Sequence, residues 1–144
     1  MRQRDMAIQG VRTLKRAYDA ALKPVAEAHG LTRNEVDVLL FLANNPGYDT
    51  ARDIVELRGL TKSHVCQSVD GLTRRGWLSG VQDGQDRRRV HLSLLPAAQA
   101  AVAAAQAVQR DFFVWLYRGV SQEERETLER VQEKMLSNLK EAQQ

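Results

Sequence analysis

Residues 62–68 carry hydrogen-bonding and cationic side chains on the faces of a predicted helix that apolar residues leave open. They are Lys62, Ser63, His64, Gln67 and Ser68. A glutamine amide can form two hydrogen bonds with the edge of an adenine, whereas lysine and histidine donate to guanine or to phosphate oxygens. A helix face that only contacts solvent would have a similar composition, so the elements around this segment must decide between the two interpretations.

A second charged group, Asp86-Arg87-Arg88-Arg89, follows in a polar turn. Consecutive arginines are often surface charges, but a narrow minor groove concentrates negative potential and attracts arginine side chains. Arg89 alternates with Val90 and can instead face outward along a strand. Asp86 is either a simple turn residue or the partner that orients a neighbouring arginine.

The elements that position these groups are predicted between residues 61 and 95. A helix from about Thr61 to Arg75 has an apolar stripe at Val65, Val69 and Leu72. Gly76 ends the helix, Trp77-Leu78 opens a strand, and Asp83-Gly84 predicts a tight hairpin turn. The returning strand alternates apolar Val90, Leu92 and Leu94 with Arg89, His91 and Ser93. A polar helix followed by a hairpin with a cationic tip is typical of a winged helix-turn-helix, in which the helix fits the major groove and the tip reaches the minor groove.

The distribution of charge agrees with a polyanionic partner. The chain has 144 residues and a formal net charge of +3. All of that excess lies in residues 61–95, and the remaining residues sum to zero. A single cysteine, Cys66, excludes an intramolecular disulfide and favours a reducing cytoplasm. No apolar run suggests a membrane span or a signal peptide, so we expect a cytoplasmic protein with no membrane partner.

The other predicted elements are helical. A helix over residues 1–28 has a heptad-like seam at Val11, Leu14, Tyr18, Ala21 and Val25. A break or kink is expected near Pro24. Thr32 and Glu35 form a capping box for a second helix, and Thr50 with Asp53 caps a short helix to about Leu57. A very short strand is possible at Tyr48-Asp49. Pro96 starts a further helix, and Ser121 with Glu124 caps the last one, whose stripe is Leu128, Val131, Met135 and Leu139.

These predictions define a mainly α fold with a small β-hairpin. Residues 31–95 form the winged helix-turn-helix, and residues 1–30 and 96–144 form dimerisation helices around it in one intertwined domain. The apolar surface of the terminal helices exceeds what the centre can cover, so we expect a homodimer. Its two polar helices would lie about one DNA turn apart, roughly 34–36 Å, on a near-palindromic operator.

The chain resembles the multiple antibiotic resistance regulator (MarR) family of bacterial transcription factors over nearly its whole length. The resemblance is carried by GLTRNEVDVLLFL, TARDIVELRGLTKSHVCQSVDGLTRRGWL and QDGQDRRRVHLSLLPAA. It implies that Arg88 enters the minor groove while Asp86 holds its guanidinium, and it implies dimers regulated by phenolic or lipophilic ligands or by thiol oxidation. His64 and Gln67 depart from the residues common in the family, which bears on the operator sequence. The predicted DNA-contacting residues are Thr50, Lys62, Ser63, His64, Gln67, Ser68, Asp86, Arg87 and Arg88.

Several alternatives remain open from the sequence. The protein could be a protein-interaction module with weak DNA affinity, or a regulator that senses oxidants through Cys66, although a small, partly buried thiol fits that position. Tyr18, Phe41, Trp115 and Tyr117 could line a pocket for a small aromatic or lipophilic effector, or could be core or interface aromatics. The histidines lack metal-ligand spacing and no catalytic motif is present, so neither a metal, a cofactor nor an enzyme is predicted.

Overall fold

The computed structural model describes residues 2–143 and confirms a mainly helical fold with one antiparallel hairpin. Residues up to Phe112 form one compact unit, and residues from Phe113 onward form a second. The two units are described separately. None of the described helices is both long enough and apolar enough to cross a membrane.

The first unit contains five helices and both strands. Their bounds are α1, Gln3–His29; α2, Arg33–Asn44; α3, Ala51–Asp53, continued by a π-helical turn at Ile54–Arg58; α4, Lys62–Arg74; β1, Leu78–Gln82; β2, Val90–Leu94; and α5, Gln99–Leu116, which follows a 3-10 turn at Pro96–Ala98 and ends in the second unit. The helix α1 runs through Pro24 without a break, so the predicted break is wrong. Pro24 and Ala20 both lie on the exposed side of α1, where water can reach the carbonyl that loses its partner.

The local signals for helix ends are confirmed. Three predicted capping boxes are present, each with the hydroxyl accepting from the third backbone N–H at 3.1 Å: Thr32 with Glu35, Thr50 with Asp53, and Ser121 with Glu124. Gly30 and Gly76 follow helices α1 and α4 with φ of +63° and +74°, a left-handed conformation that glycine adopts without strain.

The core of the first unit lies where the C-terminal half of α1, α2, α4 and α5 meet the hairpin. Its largest fully buried side chains include Leu22, Leu39, Ile54, Val65, Leu72 and Leu78. The predicted stripe of α4 is confirmed for Val65 and Leu72, and Val69 is half-buried. In α1, however, Val11 and Leu14 of the predicted seam are exposed, and the buried residues Leu22 and Ala26 were not in it.

The hairpin differs from the prediction at its turn. Strands β1 and β2 pair from Leu78 with Leu94 to Gln82 with Val90, which leaves a seven-residue loop over 83–89, called the wing loop below. Gly84 lacks the positive φ of a two-residue turn. Val90 is 38% exposed because it lies at the loop end of β2. Asp49 accepts a 2.8 Å hydrogen bond from the N–H of Leu92, yet Tyr48-Asp49 forms no strand.

The second unit begins in the last turn of α5 and contains α6, Gln122–Ala142, after a left-handed Gly119 with φ of +79°. Phe113 stacks on Tyr117, and the guanidinium of Arg125 lies 4.8 Å from the Tyr117 ring centroid. Within this unit α6 leaves its whole apolar stripe exposed: Leu128, Val131, Met135, Leu136 and Leu139.

Candidate nucleic-acid interface

The helix α4 presents Lys62, Ser63, His64 and Gln67 to solvent on its first two turns. Thr61 caps the helix by accepting from the N–H of His64 at 3.1 Å. The opposite stripe is fixed in the core, so the helix cannot rotate without exposing apolar side chains. The predicted polar face is therefore fixed by packing.

Two of the predicted DNA-contacting residues lie elsewhere. Ser68 is only 5% exposed, because steps of three from Val65 and four to Leu72 place it within the buried stripe. Thr50 is 4% exposed, and its hydroxyl caps α3. Burial removes both side chains from the exposed face of α4, and their contact with DNA stays a prediction.

A close approach sets the distance between α2 and α4. A Cβ atom added to Gly71 of α4 would lie 2.8 Å from Oε2 of Glu35. The same Glu35 side chain is buried and accepts the N–H of Thr32 in the capping box of α2. A larger residue at position 71 would therefore displace the carboxylate that caps α2.

Arg75 fixes the other end of α4. Its guanidinium donates to the carbonyls of His29 and Gly30 at 2.8 Å each and lies 4.1 Å from the ring centroid of Trp77. Those carbonyls end α1, where the helix dipole favours a cation. Arg75 therefore joins the C-terminal ends of α1 and α4.

A charged network inside the first unit joins three elements. Asp37 of α2, whose side chain is 7% exposed, accepts from Arg33 at 2.8 Å and from Arg58 at 3.0 Å. Nη2 of Arg33 also forms an ion pair with Asp19 of α1 at 3.1 Å, without the alignment of a hydrogen bond. Asp37 therefore links the turn before α4 to α2, and Arg33 links α2 to α1.

The wing loop is organised by two carboxylates. Oδ1 of Asp83 accepts from the N–H groups of Gln85 and Asp86 at 2.8 and 3.1 Å. Oδ1 of Asp86 then accepts from the N–H of Arg88 at 3.0 Å and lies 3.6 Å from its Nε. The Arg88 side chain is 94% exposed. The carboxylate expected to orient the arginine is thus beside it, with the guanidinium extended into solvent.

His91 joins the wing loop to the segment before α3. Its Nδ1 lies 2.7 Å from Oδ1 of Asp49, and its Nε2 lies 2.7 Å from Oδ2 of Asp83. The hydrogen bond to Asp49 contributes most to raising the pKa of His91, and the hydrogen bond to Asp83 contributes next. The hydrogen bond from His91 contributes most to holding the pKa of Asp83 below its usual range, and the bonds from the N–H groups of Gln85 and Asp86 contribute next. The sequence predicted His91 as one of the polar residues that alternate along the returning strand, and neither carboxylate partner was predicted.

A cleft of about 930 Å³ opens between α3, α4 and the hairpin. It is lined by residues that include Arg52, Cys66, Thr73, Arg88 and Val90. Cys66 is exposed, so the expectation of a partly buried thiol is wrong. No group of histidine, cysteine and acidic residues suited to a metal ion occurs among residues 2–143.

The residues predicted for an effector pocket do not line this cleft. Phe41 is buried in the core of the first unit. Tyr18 packs edge-on against Phe112 and accepts from Nε2 of Gln109 at 2.8 Å, and burial raises its pKa. Trp115 is exposed in the second unit. The first two fit the interpretation as core aromatics.

Comparison with known proteins identifies relatives of the chain. Residues 29–89 match the model of the MarR family, and no curated protein matches the chain. Among solved structures, the transcriptional regulator PA3341 is 25% identical to this chain, with a TM-score of 0.80. The alignment covers 92% of this chain and 97% of the PA3341 chain.

Two further structures have lower identity but a similar fold. S. aureus MepR in its DNA-binding conformation is 22% identical, with 92% and 98% of the two chains covered and a TM-score of 0.82. Bordetella bronchiseptica BpsR, whose DNA binding is regulated by 6-hydroxynicotinic acid, is 22% identical, with 90% and 98% covered and a TM-score of 0.69. The match of residues 29–89 to the family's model, together with the fold shared with these regulators, supports a MarR-family winged-helix transcriptional regulator.

Proposed function

We propose that the protein is a homodimeric repressor that binds a near-palindromic double-stranded DNA operator in the cytoplasm and is released by a small aromatic or lipophilic effector. The observation that carries the proposal is the pairing of an exposed polar face on α4 with Arg88 at the tip of the wing loop. MepR has been solved in a DNA-binding conformation, which supports the same use of this fold here. The proposal includes no enzymatic activity.

Each exposed residue has a distinct part in this proposal. Gln67 pairs with a base edge in the major groove, and Lys62 and His64 donate to guanine or to phosphate. Arg88 enters the adjacent minor groove, where the Asp86 carboxylate limits its rotation. Ser63 and Arg87, both exposed, contact the sugar-phosphate backbone, which fixes register without reading sequence.

The dimer is proposed from two exposed apolar surfaces. In the first unit α1 exposes Met6, Ile8, Val11 and Leu14, and in the second α6 exposes the stripe from Leu128 to Leu139. Surfaces of this kind are covered in soluble oligomers by a second copy. We expect Met135→Glu to shift the sedimentation coefficient of the purified protein from dimer to monomer at micromolar concentration. Lys134→Glu, which changes the adjacent polar position, is the control and should remain dimeric.

The effector is proposed by analogy with BpsR, because the DNA binding of that regulator responds to a small aromatic acid. A second means of release is favoured by one observation, the exposure of Cys66 on α4. Oxidation there would place a polar or bulky group on the helix that reads DNA. If peroxide releases the protein from DNA and Cys66→Ser abolishes that release, the thiol is the sensor. Release that survives the substitution would contradict this route.

The central test is the effect of Arg88→Ala on specific DNA binding. Bound duplexes are first selected from a random pool at physiological salt, which should yield an inverted repeat with half-sites about one helical turn apart. Against that operator Arg88→Ala should weaken binding by about 1–3 kcal/mol and reduce the slope of log K against log salt by about one. Arg110→Ala, an equal change of charge at an exposed position of α5, should do neither. An unchanged titration for Arg88→Ala would favour a protein-interaction module instead.

A further inference from the structure

His91 is the only described histidine with both ring nitrogens within hydrogen-bond distance of carboxylates, 2.7 Å from Asp49 on one side and 2.7 Å from Asp83 on the other. A neutral imidazole has one N–H, and its other nitrogen is an acceptor. A carboxylate can only accept, so the neutral ring can bond to one of the two acids and must turn a lone pair toward the other. Both contacts are hydrogen bonds only when the ring is an imidazolium.

The ring lies at the base of a chain of contacts that ends at Arg88. Asp83 uses its other oxygen to hold the N–H groups of Gln85 and Asp86, and Asp86 holds the backbone and guanidinium of Arg88. On the opposite side, Asp49 belongs to the segment that leads into α3, and its carbonyl accepts the N–H of Leu92. His91 therefore connects the wing loop to the helix-turn-helix.

We propose that the His91 imidazolium is a positioning residue that holds the wing loop in the conformation presenting Arg88 to DNA, so that DNA binding is coupled to the protonation of His91. This rests on the proposed DNA-binding function. Loss of the proton breaks one of the two bonds, and either break disconnects the wing loop from the segment that leads into α3. The wing loop then samples other conformations, and ordering it on DNA has an additional entropic cost.

The groups around the ring determine the direction of the effect. Asp49 faces it from the segment before α3 and Asp83 from the wing loop, and across the hairpin its strand partner is the uncharged Val81. Both acids favour the charged ring, so the bridge is complete between the lowered pKa of Asp83 and the raised pKa of His91. It is lost as pH rises through the raised pKa of His91. DNA affinity is accordingly expected to fall toward alkaline pH.

A test without DNA uses the nitrogen chemical shifts of His91 in the intact protein. We expect both nitrogens to be protonated below the midpoint of the titration, and that midpoint to lie above that of an ordinary histidine. Asp83→Asn keeps an oxygen for Gln85 and Asp86 and offers an N–H to Nε2, which suits the neutral ring. The midpoint should therefore fall in this variant. A midpoint in the ordinary range, or one that Asp83→Asn leaves in place, would overturn the proposal.

The second test measures DNA affinity from pH 6 to pH 9 at fixed ionic strength. The helix α4 carries a histidine and a cysteine of its own, His64 and Cys66, so the background is His64→Gln with Cys66→Ser. In that background affinity should fall about three- to tenfold over the range, and adding Asp83→Asn should reduce the change to less than twofold. Asp70→Asn, an equal change of charge on α4, is the control. It should shift affinity at every pH and leave the pH dependence in place.

The outcomes separate this inference from the proposed function. If the unmodified protein binds no selected or random duplex at low salt and any pH, the DNA-binding function itself fails. If it binds DNA and the background protein has the same pH dependence with and without Asp83→Asn, only the role of His91 fails. Circular dichroism at each pH confirms that a fall in affinity does not follow from unfolding.

Discussion

Replacing Arg75 with alanine removes the contact that joins the C-terminal ends of α1 and α4. The substitution takes away two hydrogen bonds of 2.8 Å to carbonyls of His29 and Gly30, together with a cation–π contact of 4.1 Å to Trp77. The neighbouring Arg74 offers a matched control. It carries the same charge and is exposed, and among the described residues its side chain forms no hydrogen bond or ion pair that would be lost.

The expected cost follows from those three contacts. Hydrogen bonds from a charged donor contribute about 1.5–3 kcal/mol each when buried, but Arg75 is exposed and water can replace it at both carbonyls, which reduces each to about 0.5–1 kcal/mol. The contact with Trp77 adds about 0.5–1 kcal/mol at an exposed site. Arg75→Ala should therefore lower the free energy of unfolding by about 1.5–3 kcal/mol, whereas Arg74→Ala should change it by less than about 0.5 kcal/mol.

Urea denaturation at pH 7, followed by circular dichroism, measures this difference. All variants are compared at one protein concentration, because dimerisation would make the midpoint depend on concentration. Arg75→Lys should fall between the two, since a lysine ammonium cannot bridge both carbonyls while stacking on the ring. Equal destabilisation by Arg75→Ala and Arg74→Ala would refute the reasoning, because it would show that charge rather than the contact matters.

Three further predictions concern the hairpin and the DNA-reading face. A Cβ at Gly80 would lie 2.7 Å from Cγ1 of Val90, so Gly80→Ala should lower the free energy of unfolding of the wild type by about 1–2 kcal/mol. The loss should be smaller when the same substitution is made in Val90→Ala, and a double-mutant cycle measures the difference. The stability conferred by the His91–Asp83 bridge should be greatest between about pH 4 and pH 6.5. It is lost as pH falls through the lowered pKa of Asp83 or rises through the raised pKa of His91. A pH series of urea midpoints in which Asp83→Asn retains the same profile would contradict this. Gln67→Ala should relax base preference in a repeated selection from random DNA, whereas Ser68→Ala, at a buried position, should leave it unchanged.

Features that depend on residues three or four positions apart were predictable from the sequence. Thr32 and Glu35 cap α2 as expected, Gly76 ends α4 in a left-handed conformation, and Val65 and Leu72 face the core. The signal and the contact lie within one helical turn in each case, so tertiary structure has little scope to change the outcome. Ser68 shows the limit of this reasoning: spacing placed it in the buried stripe, but its polarity suggested an exposed position.

The wing loop was predicted less well because its conformation depends on a residue outside it. Asp83-Gly84 is typical of a two-residue hairpin turn, and an isolated hairpin could adopt one. In the structure Asp83 instead accepts from two N–H groups of the loop and bonds to His91, which stabilises a longer connection. A local turn preference is weak, and the three hydrogen bonds to the Asp83 carboxylate outweigh it in the folded chain.

The contacts that position the interface could not be found from the sequence, because each joins residues far apart in the chain. Arg75 bonds to carbonyls of His29 and Gly30, and His91 reaches Asp49. The sequence around a polar residue indicates only that it can form hydrogen bonds, and a solvated surface fits that pattern as well as a distant partner does. Apolar periodicity, in contrast, states which face is buried. The sequence could therefore place α4 against a core, while the polar contacts that fix its ends and the wing loop required the folded chain.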